Sequence, residues 1–396
     1  MEQTGRILVI PSWYPPDGGY FFKEHSEAIN RRGWKVDVLV NRVVGVRKLL
    51  SHGLSAIGPR RINDEEGLRV VRSVFLKLPG NEQNNIRRWA SSTEKLFNRF
   101  ARKHGNPDLI LAHSVTWAGY AASLIAKKHR IPYLIVEHRS FFVWSTPEAR
   151  KMVKSFHIPF FEQAYRNAAR LVPVSESLLN GLSSLFPWID EKVEVIPNMI
   201  REDMFLPPPL PRQPEPFVFF WAGRLEHVKG IDLLLQAVSE LKQRTGAVFK
   251  VRLAGRGSLR DALEAQARDL GIDDMVTFLG RISREEIQDE MQHASCFVLP
   301  TRYEAFGAVL IEAMSAGLPV IATRSGGPQH IVYKGSGILI DPEEVSQLTG
   351  AMEKMMKEYA GFDQTAIRSD TLERYGGKKV MERYHRLFLE MIGVSN

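Results

Sequence analysis

The chain has 396 residues, 44% of them hydrophobic and 25% charged, with a formal net charge of +8. That length exceeds one ordinary core and fits two domains of roughly 200 residues, and the lack of any apolar run of about 18 residues excludes a membrane-spanning helix. The single cysteine, Cys296, excludes an intrachain disulfide and, inside the apolar run Ala294 to Leu299, reads as a buried strand residue.

The opening, Met1 to Val9, lacks the basic flank and the apolar stretch of about 7 to 15 residues that mark a secretory signal, so a cytoplasmic location is expected. Short apolar runs follow, at Ile7 to Ile10, Val36 to Val40, Leu109 to Ala112, Tyr133 to Val136, Leu171 to Val174 and Val193 to Ile196, and each is predicted to be a buried strand. Between them, stretches such as Glu24 to Arg32 and Ala118 to His129 carry helical spacing. Phe205 to Pro216 holds prolines that can continue neither a helix nor a central strand, which makes it a linker. The pattern then restarts with Phe217 to Trp221, Phe249 to Ala254, Met275 to Phe278, Cys296 to Leu299, Val320 to Ala322 and Ile338 to Ile340. Strands alternating with helices predict an α/β protein of two domains, each a parallel sheet covered on both faces: 1–206 and 207–396. Charge divides along the same line, with 30 Lys+Arg against 20 Asp+Glu in residues 1–205 and 23 against 25 in the rest. An anionic partner is therefore expected for the first half: nucleic acid, a phosphorylated glycan carrier or a membrane surface.

Ligands of parallel sheets bind beyond the carboxyl ends of the strands, so the loops there carry the chemistry. Gly223-Arg224-Leu-Glu-His-Val-Lys229-Gly230 follows a strand and precedes a helix expected to begin near Ile231, placing two cations where free amides already favour an anion. That makes a diphosphate site; the alternative is a solvated basic loop. In Glu304-Ala-Phe-Gly-Ala-Val-Leu-Ile-Glu312-Ala-Met-Ser-Ala-Gly317, a helix is expected from near Gly307 to Gly317. Glu312 then sits among small and apolar neighbours, where sugar hydroxyls or an internal salt bridge would satisfy it. The amides around Phe306, Gly307 and Ala308 would point at a phosphate.

These motifs, together with Ser12-Trp-Tyr-Pro-Pro-Asp-Gly18-Gly19, Val174-Ser-Glu, Val195-Ile-Pro-Asn198, Phe278-Leu-Gly-Arg281 and Ser325-Gly-Gly327, resemble the retaining glycosyltransferase family 4 over nearly the whole chain. The resemblance implies the GT-B fold, in which two Rossmann-like domains face each other across a cleft. The first domain would bind the acceptor and the second the nucleotide-sugar, with the last helix, about 378–392, packing back on the first domain. It further implies that Arg224 and Lys229 grip the donor diphosphate and that Glu304 touches the transferred sugar. Glu312 would hold the ribose, Arg281-Ile282 would lie against the base, and Gly18-Gly19 would let backbone approach the phosphates. His138, in Glu137-His138-Arg139, matches a family histidine near the reacting sugar. His113 is a second candidate, with a capping or surface role as its alternative. Two positions depart from the family pattern: Asn198 is followed by Met199 where glycine is usual, and Gln329-His330 replaces a common acid.

No two aspartates are separated by one residue, so the Asp-x-Asp metal motif of the other major glycosyltransferase fold is absent. Neither a metal nor a cofactor is expected; the two cations would neutralise the leaving diphosphate. UDP-sugars are the first expectation for the donor and GDP-mannose the second. For the acceptor, a lipid-linked or cell-envelope glycan at an anionic membrane surface is expected, because aromatic residues interleave with the basic charge. Trp13, Tyr14, Tyr20, Phe21 and Phe22 surround the glycine loop, Phe141, Phe142 and Trp144 follow His138, and Arg47 to Arg61 mixes basic and apolar residues. His113, Tyr20 and Phe141 are the candidate acceptor contacts. A small soluble acceptor and a nucleotide-sugar epimerase of the same fold are the alternatives. A dinucleotide oxidoreductase is disfavoured because Arg260 stands where the third glycine after Gly255 and Gly257 belongs. Nucleic acid is disfavoured because the basic charge is dispersed and no helix-turn-helix, zinc or RNP pattern accompanies it.

Overall fold

In the computed structural model the described residues are 4–46, 62–143, 151–209 and 215–393. The expected interfacial stretch 47–61, Trp144 and part of the linker lie outside them. The first domain runs β1 (Gly5–Pro11), α1 (Tyr20–Arg31), β2 (Trp34–Gly45), β3 (Ile62–Glu65), β4 (Leu68–Lys77), α2 (Glu82–His104), β5 (Leu109–His113), α3 (Tyr120–His129), β6 (Tyr133–Glu137), α4 (Ile158–Asn167), β7 (Arg170–Pro173) and α5 (Glu176–Leu185). The second runs β8 (Phe217–Arg224), α6 (Ile231–Thr245), β9 (Phe249–Arg256), α7 (Arg260–Asp269), β10 (Val276–Gly280), α8 (Arg284–His293), β11 (Cys296–Leu299), α9 (Ala308–Ser315), β12 (Val320–Thr323), α10 (Pro328–Ile331), β13 (Gly337–Ile340), α11 (Val345–Glu358), α12 (Gln364–Tyr375) and α13 (Gly377–Met391).

The strands form two sheets, ordered β3-β4-β2-β1-β5-β6-β7 and β10-β9-β8-β11-β12-β13, parallel throughout except for the edge strand β3. Because helices cover both faces, the central strands are apolar on both sides: Ile7, Leu8, Val9 and Ile10 are all fully buried. Each such side chain contributes about 1.5–3 kcal/mol relative to exposure. Cys296 is buried in β11, as its neighbours predict.

Two expectations need correction. Val193 to Ile196 is not a strand: it makes one bridge, Leu171 to Val193, and two amide bonds to the β7 edge before Pro197, which has no amide to donate. The β3-β4 hairpin was not foreseen; its two-residue turn, Glu66-Gly67, has φ of 55° and 81°, the geometry of a type I′ turn.

The last helix does return to the first domain. Trp34 Nε1 donates to His385 Nδ1 at 3.0 Å, Tyr384 packs on His25 with ring centres 4.5 Å apart, and Arg383 donates to the Val195 carbonyl at 2.6 Å. α12 instead packs on the second domain, where Arg374 donates to the His330 carbonyl at 2.7 Å and Arg368 to the Ser315 carbonyl at the end of α9.

Candidate active site

In each sheet the strand order reverses once, between β1 and β5 in the first and between β8 and β11 in the second. A crevice opens at such switch points, beyond the carboxyl ends of the strands. The two crevices face one another and enclose a cavity of about 550 Å³. From the first domain, Trp13, Asp17, Gly18, Gly19, His138, Arg139 and Asn198 line it; from the second, Arg224, Lys229, Glu304, Phe306, Gly307 and Ala308 do. Nine of the site residues expected from the sequence therefore meet in one place, although they come from four separate loops.

The β8-α6 loop presents the two cations differently. Lys229 is drawn inward, its Nζ 2.6 Å from Glu304 Oε2, with 20% of its side chain exposed. Arg224 pairs with Glu226 at 2.7 Å and is 71% exposed. The loop is fixed from beneath by Arg302, which donates to the His227 carbonyl at 2.5 Å and grips Asp232 at 2.7 and 2.9 Å. It turns at Gly230, whose φ is +66° and where an added Cβ would stand 1.9 Å from the Pro300 carbonyl oxygen. Gly19 opposes it across the cavity; its φ is +74° and a Cβ would fall 2.7 Å from the Trp13 carbonyl. Only glycine fits either position.

Glu304 precedes α9, which starts at Ala308 after Gly307 in the left-handed region and so aims its unpaired first-turn amides at the cavity. The Ser325-Gly-Gly327 motif holds this loop. Glu304 donates its amide to the Ser325 carbonyl at 2.9 Å, Gly327 donates to the Glu304 carbonyl at 2.9 Å, and a Cβ on Gly327 would collide with Phe306 at 2.3 Å. From the other domain, Ser175 of the Val-Ser-Glu motif caps α5 and donates to the Ala305 carbonyl at 2.6 Å. His330, one of the departures from the family pattern, also crosses the cleft, to Ser177 Oγ at 3.0 Å.

Arg281 and Ile282 line an adjoining cavity of about 710 Å³ together with Tyr20, Lys23, Glu24, Arg201 and Arg284. Tyr20, expected at the acceptor, is thus placed on this side. Glu312 takes the alternative foreseen for it, an internal salt bridge: Arg284 Nη2 lies 3.0 Å from its carboxylate and 3.4 Å from that of Glu24. Burial pushes the Glu312 carboxyl up to about 7, only partly offset by Arg284. A nucleoside reaching Glu312 would share that carboxylate with Arg284, a residue the sequence reading did not single out.

His138 lines the cavity, and its backbone amide and that of Arg139 donate to Glu137 Oε1 at 2.9 and 3.0 Å. Buried Glu137 also accepts from Val115 N and Tyr165 Oη, both at 2.9 Å, so it fixes the whole loop. His113 does not line this cavity: it is buried behind His138, Nδ1 to Nε2 3.1 Å, and borders only a small separate pocket with His25 and His138. Phe141 is buried too, and Arg139 covers it at 5.7 Å while stacking on Trp13 at 4.6 Å. Neither His113 nor Phe141 is placed to touch an acceptor directly. Arg139 is the third cation at the cavity and its Nε is buried without a partner; the sequence reading quoted it only as the neighbour of His138. Among the described residues, no three His, Cys, Asp or Glu side chains converge as metal ligands.

Comparison with known proteins agrees with this arrangement. The family description Glycosyltransferase Family 4 matches residues 19–203, and Glycosyl transferases group 1 matches residues 205–370. The chain is 27% identical over 258 residues to an uncharacterized glycosyltransferase of Methanocaldococcus jannaschii, covering 61% of this chain and 65% of that protein. It is 26% identical over 409 residues to a probable sucrose-phosphate synthase of Thermosipho melanesiensis, covering 94% and 91%. In structure it resembles sucrose-phosphate synthase from Thermosynechococcus elongatus, with a TM-score of 0.81, 19% identity and coverage of 98% and 100%. It also resembles Anabaena HepE in complex with UDP and glucose, with a TM-score of 0.72, 18% identity and coverage of 98% and 100%. Because the two matched segments run almost end to end and follow the order of the two domains, this chain belongs to the family 4 glycosyltransferases and has the GT-B fold.

Proposed function

We propose that this glycosyltransferase moves a hexose from a UDP-sugar, with retention of anomeric configuration and without a metal ion, to a lipid-linked or cell-envelope glycan at an anionic membrane surface. The observation that carries the reading is the 550 Å³ cavity, where Lys229, Arg224 and the amide end of α9 face Gly18, Gly19 and His138. As the anomeric carbon loses its bond to the diphosphate, negative charge grows on the leaving oxygens. The fixed cations and amides stabilise that charge more than the ground state, which is what lowers a barrier. Both carboxylates lining the cavity are held in ion pairs, Asp17 with Arg42 and Glu304 with Lys229. This supports a front-face substitution, in which the departing phosphate oxygen takes the acceptor's proton, over attack by an enzyme carboxylate. The Anabaena neighbour's complex with UDP and glucose supports a UDP-hexose donor.

The membrane reading rests on the carboxyl edge of the first sheet, the edge that also carries the cavity. Leu76, Leu78 and Met152 are exposed there, among Lys77, Arg87, Arg88, Lys151 and Lys154. Contacts tie the patch together: Arg88 over Phe75 at 5.3 Å, Arg87 over Phe160 at 5.4 Å, and Lys154 4.0 Å from Glu82 at the start of α2. Each basic residue near an anionic leaflet contributes about 1 kcal/mol, enough in sum for reversible docking. No helix among the described residues is long and apolar enough to cross a membrane.

A thermal-shift comparison of UDP with GDP tests the donor, since a nucleotide at about 100 times its dissociation constant adds roughly 2.7 kcal/mol of stability. Stabilisation by GDP alone would move the donor to GDP-mannose, and none by either would sink the assignment. Equal flotation with neutral and anionic vesicles at low salt would remove the docking.

A further inference from the structure

Behind the cavity, three histidines from three elements form a line. His25 of α1 places Nδ1 3.5 Å from Nε2 of His113, which ends β5, and His113 Nδ1 lies 3.1 Å from Nε2 of His138, which follows β6. Aromatic rings hold them in place: Phe22 stacks on His113 at 4.1 Å, Phe21 packs on His138 at 5.1 Å, and Tyr384 of the returning helix packs on His25 at 4.5 Å. The two outer nitrogens, His25 Nε2 and His138 Nδ1, are buried and neither makes a well-formed hydrogen bond within the protein, although the Asn198 side chain stands beside His138 and favours its protonation. His138 alone of the three reaches the main cavity.

Burial holds all three rings neutral, pushing His25 down to about 3 and His113 and His138 well below the usual imidazole range. A neutral imidazole has one N–H and one lone pair. Each of the two contacts needs one of each, so the three tautomers cannot vary independently. Either every proton sits on Nδ1, His25 donating to His113 and His113 to His138, or every proton sits on Nε2 and the chain runs backwards. Each arrangement leaves one outer N–H without a protein acceptor, at His138 Nδ1 in the first and at His25 Nε2 in the second. Only His138 lines the main cavity, where a ligand can accept that proton, and a buried donor that never finds an acceptor is costlier than an idle lone pair. The first leaves its free N–H on His138 Nδ1, the one nitrogen of that ring not committed to the chain.

We propose that His25 and His113 are positioning residues for sugar transfer: through a one-way imidazole chain they fix His138 in the Nδ1–H tautomer, so that it meets the ligand as a hydrogen-bond donor. This role rests on the transferase reading of the cavity, in which His138 faces the transferred sugar. His25 lies on α1, outside the cavity, and acts only through His113.

The test is the tautomer itself, read from long-range proton–nitrogen NMR of histidine-labelled protein. Wild-type His138 is expected to give one neutral species protonated on Nδ1. His25→Phe keeps the ring packing but removes the first donor; it should leave His138 a mixture of tautomers and lower kcat about tenfold, the worth of one hydrogen bond, with donor KM unchanged. His25→Gln, whose amide can donate to His113, should restore both the single tautomer and most of the turnover. An Nε2-protonated or charged His138 in the wild type overturns the proposal, as does an unchanged tautomer in His25→Phe or a His25→Gln variant that rescues nothing. Failure of the transferase reading would register separately, as no sugar transfer by the wild type whatever its tautomer.

Discussion

The unequal burial of the two cations gives a quantitative prediction. A unit charge pair at 4 Å is worth about 4 kcal/mol at an effective dielectric of 20 and about 1 kcal/mol in bulk water. Lys229, 20% exposed and drawn into the cavity by Glu304, belongs nearer the first limit, and Arg224, 71% exposed beside Glu226, nearer the second. Lys229→Ala should therefore raise the barrier by about 3 kcal/mol, roughly a hundredfold in kcat, and Arg224→Ala by about 1 kcal/mol, five- to tenfold. Removing Lys229 also strips Glu304 of its partner, and a freed carboxylate would itself repel the diphosphate. The double variant Lys229→Ala/Glu304→Gln separates the two effects; it should recover little if the lost cation is the cause. Initial-rate kinetics at saturating acceptor supply the numbers. An elevated KM with unchanged kcat would mean the lysine binds ground state and transition state equally. That result, or a larger loss from Arg224→Ala than from Lys229→Ala, would refute the reasoning.

The remaining predictions concern mechanism and folding. Turnover should persist in excess EDTA, and complete loss restored by magnesium or manganese would overturn the metal-free reading. Proton NMR of early product should display the donor's own anomeric configuration, and inversion would exclude a front-face substitution. Gly230→Ala, which puts a Cβ 1.9 Å from the Pro300 carbonyl at a φ of +66°, should cost about 3 kcal/mol in urea unfolding; a change within about 0.5 kcal/mol would contradict the close approach. Glu312, raised to about 7, keeps a proton in the folded state that the unfolded chain releases near its ordinary value of 4.5. Stability from this group is thus greatest at or below about pH 4.5 and declines as pH rises to about 7, by roughly 3 kcal/mol over the window. Glu312→Gln should flatten that part of the stability profile relative to wild type, and identical slopes would dismiss the shift.

How far the sequence foretells this molecule depends on whether a residue's role is set by its own strand or by what packs across from it. Ile7 to Ile10 and Phe217 to Trp221 are legible because a strand buried on both faces has to be continuously apolar. The β8-α6 loop and the start of α9 are legible because glycine and a strand-to-helix passage leave few conformations open. The β4 strand was missed because Arg69, Arg72 and Ser73 interrupt its apolar pattern, although Glu66-Gly67 offered a hairpin turn. Val193 to Ile196 was read too generously, since an apolar pattern does not register that Pro197 ends the ladder. The roles that escaped entirely are relational. Arg284 reaches Glu312 from another helix and Glu24 from another domain. His25 stands among the apolar and charged residues of α1 with nothing in its local pattern to link it to His113, 88 positions later. Such pairings arise when the switch points of two sheets are brought face to face, so they become visible only after the fold has placed β1 beside β5 and β8 beside β11. The residues at those junctions were legible one by one as candidates, whereas their ion pairs and imidazole contacts were not, because the partners belong to loops whose sequence separation carries no periodic signal.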